Sequence, residues 1–177
     1  GLMWSIAETF NGIMAFMLFK VDNRLEDIKL YGGNPLKKFV IQILYDYLEV
    51  FERYTLDAVS ISARYHKPAS YRAIKQMVRP LIGYGCKMGE GWLLTGEMIE
   101  LVETGYENIV CAQPFGCLPN HICGKGMVRK IKEVDERANI VPIDYDPSAT
   151  RVNQENRIKL MMAVAKEKLV EQQHQNA

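Results

Sequence analysis

The 177-residue sequence is poor in cysteine, histidine and tryptophan, and it has no excess of charge of one sign. Its four cysteines are too few and too unevenly spaced for the disulfide framework of a secreted miniprotein, so we expect a reducing, cytoplasmic setting. Twenty-two basic residues balance 21 acidic ones, and the resulting net charge of +1 argues against a nucleic-acid partner. A hydrophobic content of 48% is instead typical of a globular protein with a substantial core.

Long apolar runs are also lacking, apart from one at the N-terminus. The segment from Leu2 to Phe19 is mostly apolar, but Glu8 and Asn11 interrupt it and charged residues follow at once. A membrane-spanning helix needs about 20 largely apolar residues. We therefore expect a buried helix and no membrane partner. We also expect the chain to be a piece of a longer protein, whose other domains cover part of this apolar surface.

The first 80 residues are predicted to be helical. Apolar residues recur at intervals of three and four from Leu2 to about Asp27, which is typical of an amphipathic helix. A Gly-Gly pair then ends that helix, and the Asn34-Pro35 dipeptide is a start signal for the next one. The second helix runs to about residue 56 and continues or restarts through 60–65, and a short third helix covers 71–78.

From residue 81 the pattern changes to alternating strands and helices. After a glycine-rich stretch, the sequence predicts a helix over 90–103, a strand over 108–112, a helix over 121–137, a strand over 139–144 and a helix over 151–171. This order is typical of a βαβα unit with parallel strands. Because two strands make a poor sheet, we expect further strands outside this chain or near residues 81–84.

The predicted fold class is therefore an α-rich α/β protein. It combines a helical N-terminal half (1–80) with a small parallel βαβα region of flavodoxin-like or Rossmann-like type (81–171), and it ends in a disordered tail (172–177).

The loops that follow the two predicted strands are the expected functional site. Ligands gather at the carboxyl ends of parallel strands, where loops and helix N-termini converge. If the strands are neighbours, the loops over 111–121 and 144–150 face each other. The polar residues that we predict to bind a cofactor there are Gln113, Asn120, His121, Asp144 and Asp146. The alternative is structural: Asn120 and His121 cap a helix, and the aspartates stabilise a turn together with Ser148 and Thr150.

Cys117 is the candidate metal ligand in the first of these loops. It lies between Gly116 and the Leu118-Pro119 pair that opens a helix, and a helix N-terminus favours a thiolate. A nucleophile, a redox group and a soft-metal ligand all fit this position, and so does a half-buried cysteine that merely packs.

The other cysteines are not predicted to belong to the site. Cys111 falls within a buried strand and Cys123 on the first turn of a helix, so we expect both in the core. Cys86 lies in the glycine-rich loop and reaches the site only if that loop folds over it. Lys125 lies between two glycines but lacks the spacing of a phosphate-binding loop.

Four segments of the second half resemble one known family: Asn108–His121 (NIVCAQPFGCLPNH), Gly124–Met127 (GKGM), Ala138–Asp146 (ANIVPIDYD) and Asn153–Met161 (NQENRIKLM). They resemble the C-terminal region of large acyl-CoA dehydratase activase-related proteins. These proteins are also called CoA-substrate-specific enzyme activases and are similar to activators of 2-hydroxyglutaryl-CoA dehydratase. The same region is similar to the iron–sulfur subunits of 2-hydroxyacyl-CoA dehydratases.

The resemblance implies a function in ATP-driven, low-potential electron transfer to 2-hydroxyacyl-CoA dehydration. Cys117 matches a cluster-ligating cysteine, and Asp144 or Asp146 matches an acidic strand end. A [4Fe–4S] cluster is then expected in the full-length protein, with ATP bound on other domains. The implied partners are those domains, a dehydratase and an acyl-CoA substrate. Two alternatives stay open: a non-catalytic docking module with a dehydratase-like fold, and a small flavodoxin-like redox or flavin domain.

Overall fold

The computed structural model describes the backbone of residues 2–61, 67–146 and 151–175 and the side chains of residues 12–61, 67–146 and 151–174. The protein is mixed α/β and mostly helical, with one small sheet of two parallel strands. It divides into two compact units, Gly1–Gln76 and Met77–Ala177.

The first unit is built around a helical hairpin. Helix α1 (Leu2–Tyr31) packs against helix α2 (Pro35–Ser60), and the two are joined by a short turn in which Gly32 has a φ of +78°. The predicted start of α2 is present, since the Asn34 side chain accepts a hydrogen bond of 2.9 Å from the Leu36 N–H. Leu18 and Phe19 of α1 are completely buried, as expected for a helix that belongs to a core.

Helix α3 (Tyr71–Val78) follows, and its first residue is fixed to α2. The Tyr71 N–H donates a hydrogen bond of 2.7 Å to Oε1 of the buried Glu52. The Tyr71 hydroxyl donates another, also of 2.7 Å, to Asp22 of α1. These two bonds attach the start of α3 to both helices of the hairpin.

The second unit contains the sheet. Helix α4 (Trp92–Glu103) precedes strand β1 (Asn108–Pro114). A broken helical segment then leads into helix α5 (Val128–Val134). Strand β2 (Asn139–Tyr145) and helix α6 (Arg151–Gln175) follow. The strands are parallel neighbours, with Asn108 opposite Asn139 and Gln113 opposite Asp144. Buried side chains from α4, β1, α5 and the segments beside them form the core: Leu81, Met98, Ile99, Val102, Ile109, Cys111, Met127, Ile131 and Ala138.

Several predicted boundaries differ from the structure. Residues 81–84 form turns and a bend rather than a further strand, and α6 continues to Gln175, four residues into the predicted disordered tail. The helix predicted over 121–137 is broken into three pieces and ends at Val134. The predicted continuation of α2 beyond Ile61 lies outside the described residues. Within the described part of the chain, no helix has both the length and the apolar character needed to cross a bilayer.

Candidate functional site

The carboxyl ends of β1 and β2 bring two of the predicted site residues into direct contact. Gln113 and Asp144 are opposite each other in the register, and the Gln113 Nε2 amide donates a hydrogen bond of 2.5 Å to Asp144 Oδ1. Gln113 is only 1% exposed, whereas Asp144 is half-buried. The two strand-end loops therefore begin side by side, as neighbouring parallel strands require.

The turn after β1 places Cys117 immediately before a helical segment. The Cys117 N–H donates to the Pro114 carbonyl at 3.2 Å, and Gly116, with a φ of +75°, provides the left-handed residue of this turn. The Cys117 carbonyl then accepts from the His121 N–H at 3.0 Å. The Cys117 side chain is half-buried. It thus has the predicted position at the start of a helical turn, while its role stays a prediction.

The helical segment after Cys117 has an unusual course. It runs through a π-helical turn (Asn120–Gly124) and a 3₁₀ turn (Lys125–Met127) before α5 begins. The backbone at Gly124 is closely packed, because a Cβ there would lie 2.9 Å from Leu94 Cδ2 and 3.1 Å from Cys111 Sγ. In addition, the Thr95 hydroxyl donates a hydrogen bond of 2.5 Å to the Cys123 carbonyl. Single π-helical turns are frequent at functional sites, since they shift side chains out of helical register.

Three of the predicted cofactor-binding residues carry a buried polar atom that has no hydrogen-bond partner in the part of the chain that the structure describes. These atoms are Gln113 Oε1, Asn120 Oδ1 and His121 Nδ1. Asn120 is 8% exposed, so its amide, like that of Gln113, is withdrawn from bulk solvent. Buried polar groups in folded proteins are nearly always paired, with protein, water or a ligand. Two amide oxygens and an imidazole nitrogen at these strand ends therefore have no partner among the described residues, and water or a ligand would have to supply one.

The remaining predicted residue, Asp146, follows β2 directly and is half-buried. Residues 147–150 lie outside the described residues, and with them the predicted roles of Ser148 and Thr150.

The first loop also carries exposed apolar side chains beside the polar ones. Phe115 is 71% exposed and packs edge-on against the His121 ring at a centroid distance of 6.5 Å, and Leu118 is 69% exposed.

Two residues of α6 that sequence reasoning missed also contact the strand end. The Gln154 amide donates a hydrogen bond of 3.2 Å to the Asp144 carbonyl, and the Arg157 guanidinium donates one of 3.0 Å to the Pro142 carbonyl. Both bonds hold the end of β2 against the first turns of α6. In the sequence, the polar run from Asn153 to Arg157 indicates that these side chains can form hydrogen bonds. It does not indicate that they bond to the backbone of β2.

The other thiols lie in the core. Cys111 and Cys123 are buried as predicted, and burial raises the pKa of both thiols. The pKa of Cys123 is raised to about 11, first by burial and then by the charge and hydrogen bonding of Cys86. The glycine-rich loop therefore brings the Cys86 thiol to Cys123 rather than to Cys117.

A complete iron–sulfur cluster does not fit the described residues of this chain. Such clusters are held by several cysteine thiolates, typically four. Among the described residues no group of three or more His, Cys, Asp or Glu side chains is arranged to hold a metal ion. Cys117 is thus one thiol at the strand ends, and any further ligands would have to come from elsewhere.

No protein-family model, curated protein or solved structure matches this chain. The resemblance to activase-related proteins accordingly stays a prediction from the residues that carry it.

Proposed function

We propose that the chain is the C-terminal region of a multidomain, CoA-substrate-specific enzyme activase-like protein of the cytoplasm. In this proposal its strand-end residues bind the acyl-CoA substrate. The wider protein carries ATP on other domains and delivers a low-potential electron for the dehydration of a 2-hydroxyacyl-CoA. The second unit is then a flavodoxin-like βαβα region that uses the usual ligand-binding edge of its sheet.

One observation supports the acyl-CoA part of the proposal above others, namely the unpaired buried atoms of Gln113, Asn120 and His121. Burial without a partner costs about 1–3 kcal/mol for each such group. This cost is recovered if a ligand supplies the missing hydrogen bonds. The pantetheine arm of coenzyme A carries two amide N–H groups and a hydroxyl, which suit the oxygen acceptors of Gln113 and Asn120.

The apolar side chains of the same loop suit the rest of that ligand. Phe115 and Leu118 are largely exposed on either side of Gly116 and Cys117. Methylene groups of pantetheine and of an acyl chain would cover these side chains on binding, and the burial of apolar surface contributes about 25 cal/mol per Å². In this arrangement Cys117 lies beside the thioester end of the ligand or provides one external ligand to a cluster completed by other parts of the protein.

Isothermal titration calorimetry with acetyl-CoA and 2-hydroxyglutaryl-CoA tests the proposal. We expect Gln113→Ala and Asn120→Ala each to weaken binding about tenfold or more, because each removes a buried acceptor worth about 1.4 kcal/mol. Gln172→Ala is the matched control, since it removes an exposed amide on α6 and should leave affinity unchanged. Thermal denaturation of each variant separates loss of binding from loss of folding.

Two results would contradict the proposal. The first is the absence of any binding to the unsubstituted chain. The second is binding that Gln113→Ala and Asn120→Ala, shown to be folded, leave at full strength.

The alternative of a non-catalytic docking module is favoured by a different observation. Three side chains at the beginning of the described part of α1 are apolar and exposed: Ile13 (52%), Phe16 (37%) and Met17 (44%). If docking is the whole function, chemical crosslinking to the remaining domains persists in a Cys117→Ala variant and acyl-CoA has no effect on the chain.

A further inference from the structure

Helix α2 has two apolar faces, and only one of them is covered. Tyr45, Leu48 and Leu56 are buried within the first unit. On the opposite face, nine large hydrophobic side chains are each between 39% and 68% exposed: Leu36, Phe39, Val40, Ile43, Leu44, Tyr47, Val50, Phe51 and Tyr54. We call these nine residues the α2 patch. Soluble monomers rarely expose a contiguous apolar surface of this extent, and such surfaces mark interaction sites.

The spacing of residues within the α2 patch favours packing against another helix. Six of its members alternate at intervals of four and three residues: Leu36, Val40, Ile43, Tyr47, Val50 and Tyr54. This repeat of 3.5 residues is the a/d pattern of helices that pack along one another. An apolar surface that packs against an irregular part of another protein does not need this regular spacing.

The order of these intervals is the same from either end of the helix. Positions 36 and 54, 40 and 50, and 43 and 47 are equidistant from position 45. An antiparallel copy of α2 related by a twofold axis at position 45 would therefore form six matched layers. In these layers Leu36 faces Tyr54, Val40 faces Val50 and Ile43 faces Tyr47. In a twofold-symmetric dimer the same surface of each copy contacts the other, and this spacing allows such a contact in an antiparallel pair.

The exposed area agrees with this arrangement. The four aromatic side chains are 44–68% exposed. With the five aliphatic ones they offer roughly 800 Å² for each copy, which is the size of a standard interface.

We propose that a second copy of this chain packs antiparallel along the α2 patch and forms a twofold-symmetric dimer. This inference is independent of the strand-end site, because it rests on the exposure and spacing of α2 alone. An acyl-CoA titration and a measurement of oligomeric state can therefore fail separately.

Analytical ultracentrifugation of the 177-residue chain tests the dimer. We expect a dimer at about 10 µM, and we expect Ile43→Asp with Tyr47→Asp to weaken association at least about 100-fold, because each copy would bury two uncompensated charges. Leu160→Asp is the matched control: it makes an apolar-to-acidic change at a residue of α6 that is 68% exposed and outside the patch. This variant should remain a dimer. A chain that is monomeric up to about 100 µM would overturn the proposal, as would equal association of the two acidic variants.

Cysteine crosslinking tests the antiparallel register. Leu44 lies next to the proposed twofold axis, so Leu44→Cys should form an intermolecular disulfide on mild oxidation by oxidised glutathione, beyond any seen for the unsubstituted chain. Leu36→Cys lies far from its own copy in this register and should not, whereas Leu36→Cys together with Tyr54→Cys should. Efficient crosslinking of Leu36→Cys alone would show a parallel pair and contradict the register.

Discussion

At the scale of single residues, the buried polar side chains of this protein fall into two groups. In the first unit they are paired: Asp22 accepts hydrogen bonds from the Tyr71 hydroxyl at 2.7 Å and from Lys75 Nζ at 2.6 Å. At the strand ends, Gln113 and Asn120 each keep an acceptor without a partner among the described residues. A role in stability alone would favour pairing, so the difference supports a ligand site at the strand ends.

Glu97 on α4 provides a prediction about pH. Its pKa is raised to about 7, first by burial and then by repulsion from Glu100 and Glu90. The ordinary value is 4.5, so between pH 4.5 and 7 the folded chain binds more protons at this residue than the unfolded chain. The free energy of unfolding should therefore fall as the pH rises through this window, by roughly 3 kcal/mol in all.

Urea denaturation at pH 5 and pH 8 measures this effect, with Glu97→Gln as the test variant. Because glutamine does not titrate, its stability should exceed that of the unsubstituted chain at pH 8 and should approach it at pH 5. If both chains lose the same stability between these pH values, burial of Glu97 does not cause the pH dependence.

At the scale of elements, Glu52 supplies a buried acceptor that attaches the start of α3 to α2. Tyr71 is 1% exposed, and its N–H donates to Glu52 Oε1. Glu52→Leu removes the buried acceptor of this hydrogen bond, which should lower the free energy of unfolding by about 1–3 kcal/mol. Glu52→Gln retains the acceptor and removes a carboxylate whose pKa is raised by its burial, so its stability at pH 7 should equal or exceed that of the unsubstituted chain. Urea denaturation distinguishes the two, and equal losses for Leu and Gln would contradict the role of the acceptor.

The sequence predicted most elements because their signals are local. The Asn34-Pro35 start of α2, the strands around Val110 and Val141, and their parallel pairing all follow from caps, alternation and short connections. The broken segment over 120–127 was not predicted. Gly124 packs closely against Leu94 and Cys111, which come from other elements, and a glycine in a helical pattern does not show such a contact.

The candidate site was predictable in part for the same reason. The rule that ligands gather at the carboxyl ends of parallel strands selected the two loops, and with them Gln113 and Asp144. The hydrogen bond between these side chains depends on the register of the strands, which neither strand encodes by itself. The contacts of Gln154 and Arg157 with β2 were missed because they depend on how α6 packs against it.

At the scale of the whole molecule, the two units carry different surfaces. The first presents the α2 patch, whose self-complementary spacing fits a second copy of the chain. The second contains the strand-end residues, whose unpaired buried atoms we propose bind a small ligand. Substitutions in one unit should leave the other property unchanged, since no residue is shared between the two surfaces.

The most direct test of the central claim is the NMR spectrum of the chain during titration with acetyl-CoA. If the unpaired atoms bind the ligand, the side-chain amide signals of Gln113 and Asn120 and the ring signals of His121 shift together and saturate at one ligand per chain. The amide signals of Gln172, which is exposed on α6, and of Asn108, which is exposed at the opposite end of β1, should stay in place. Saturable shifts confined to other residues, or none at ligand concentrations of about 1 mM, would contradict the account.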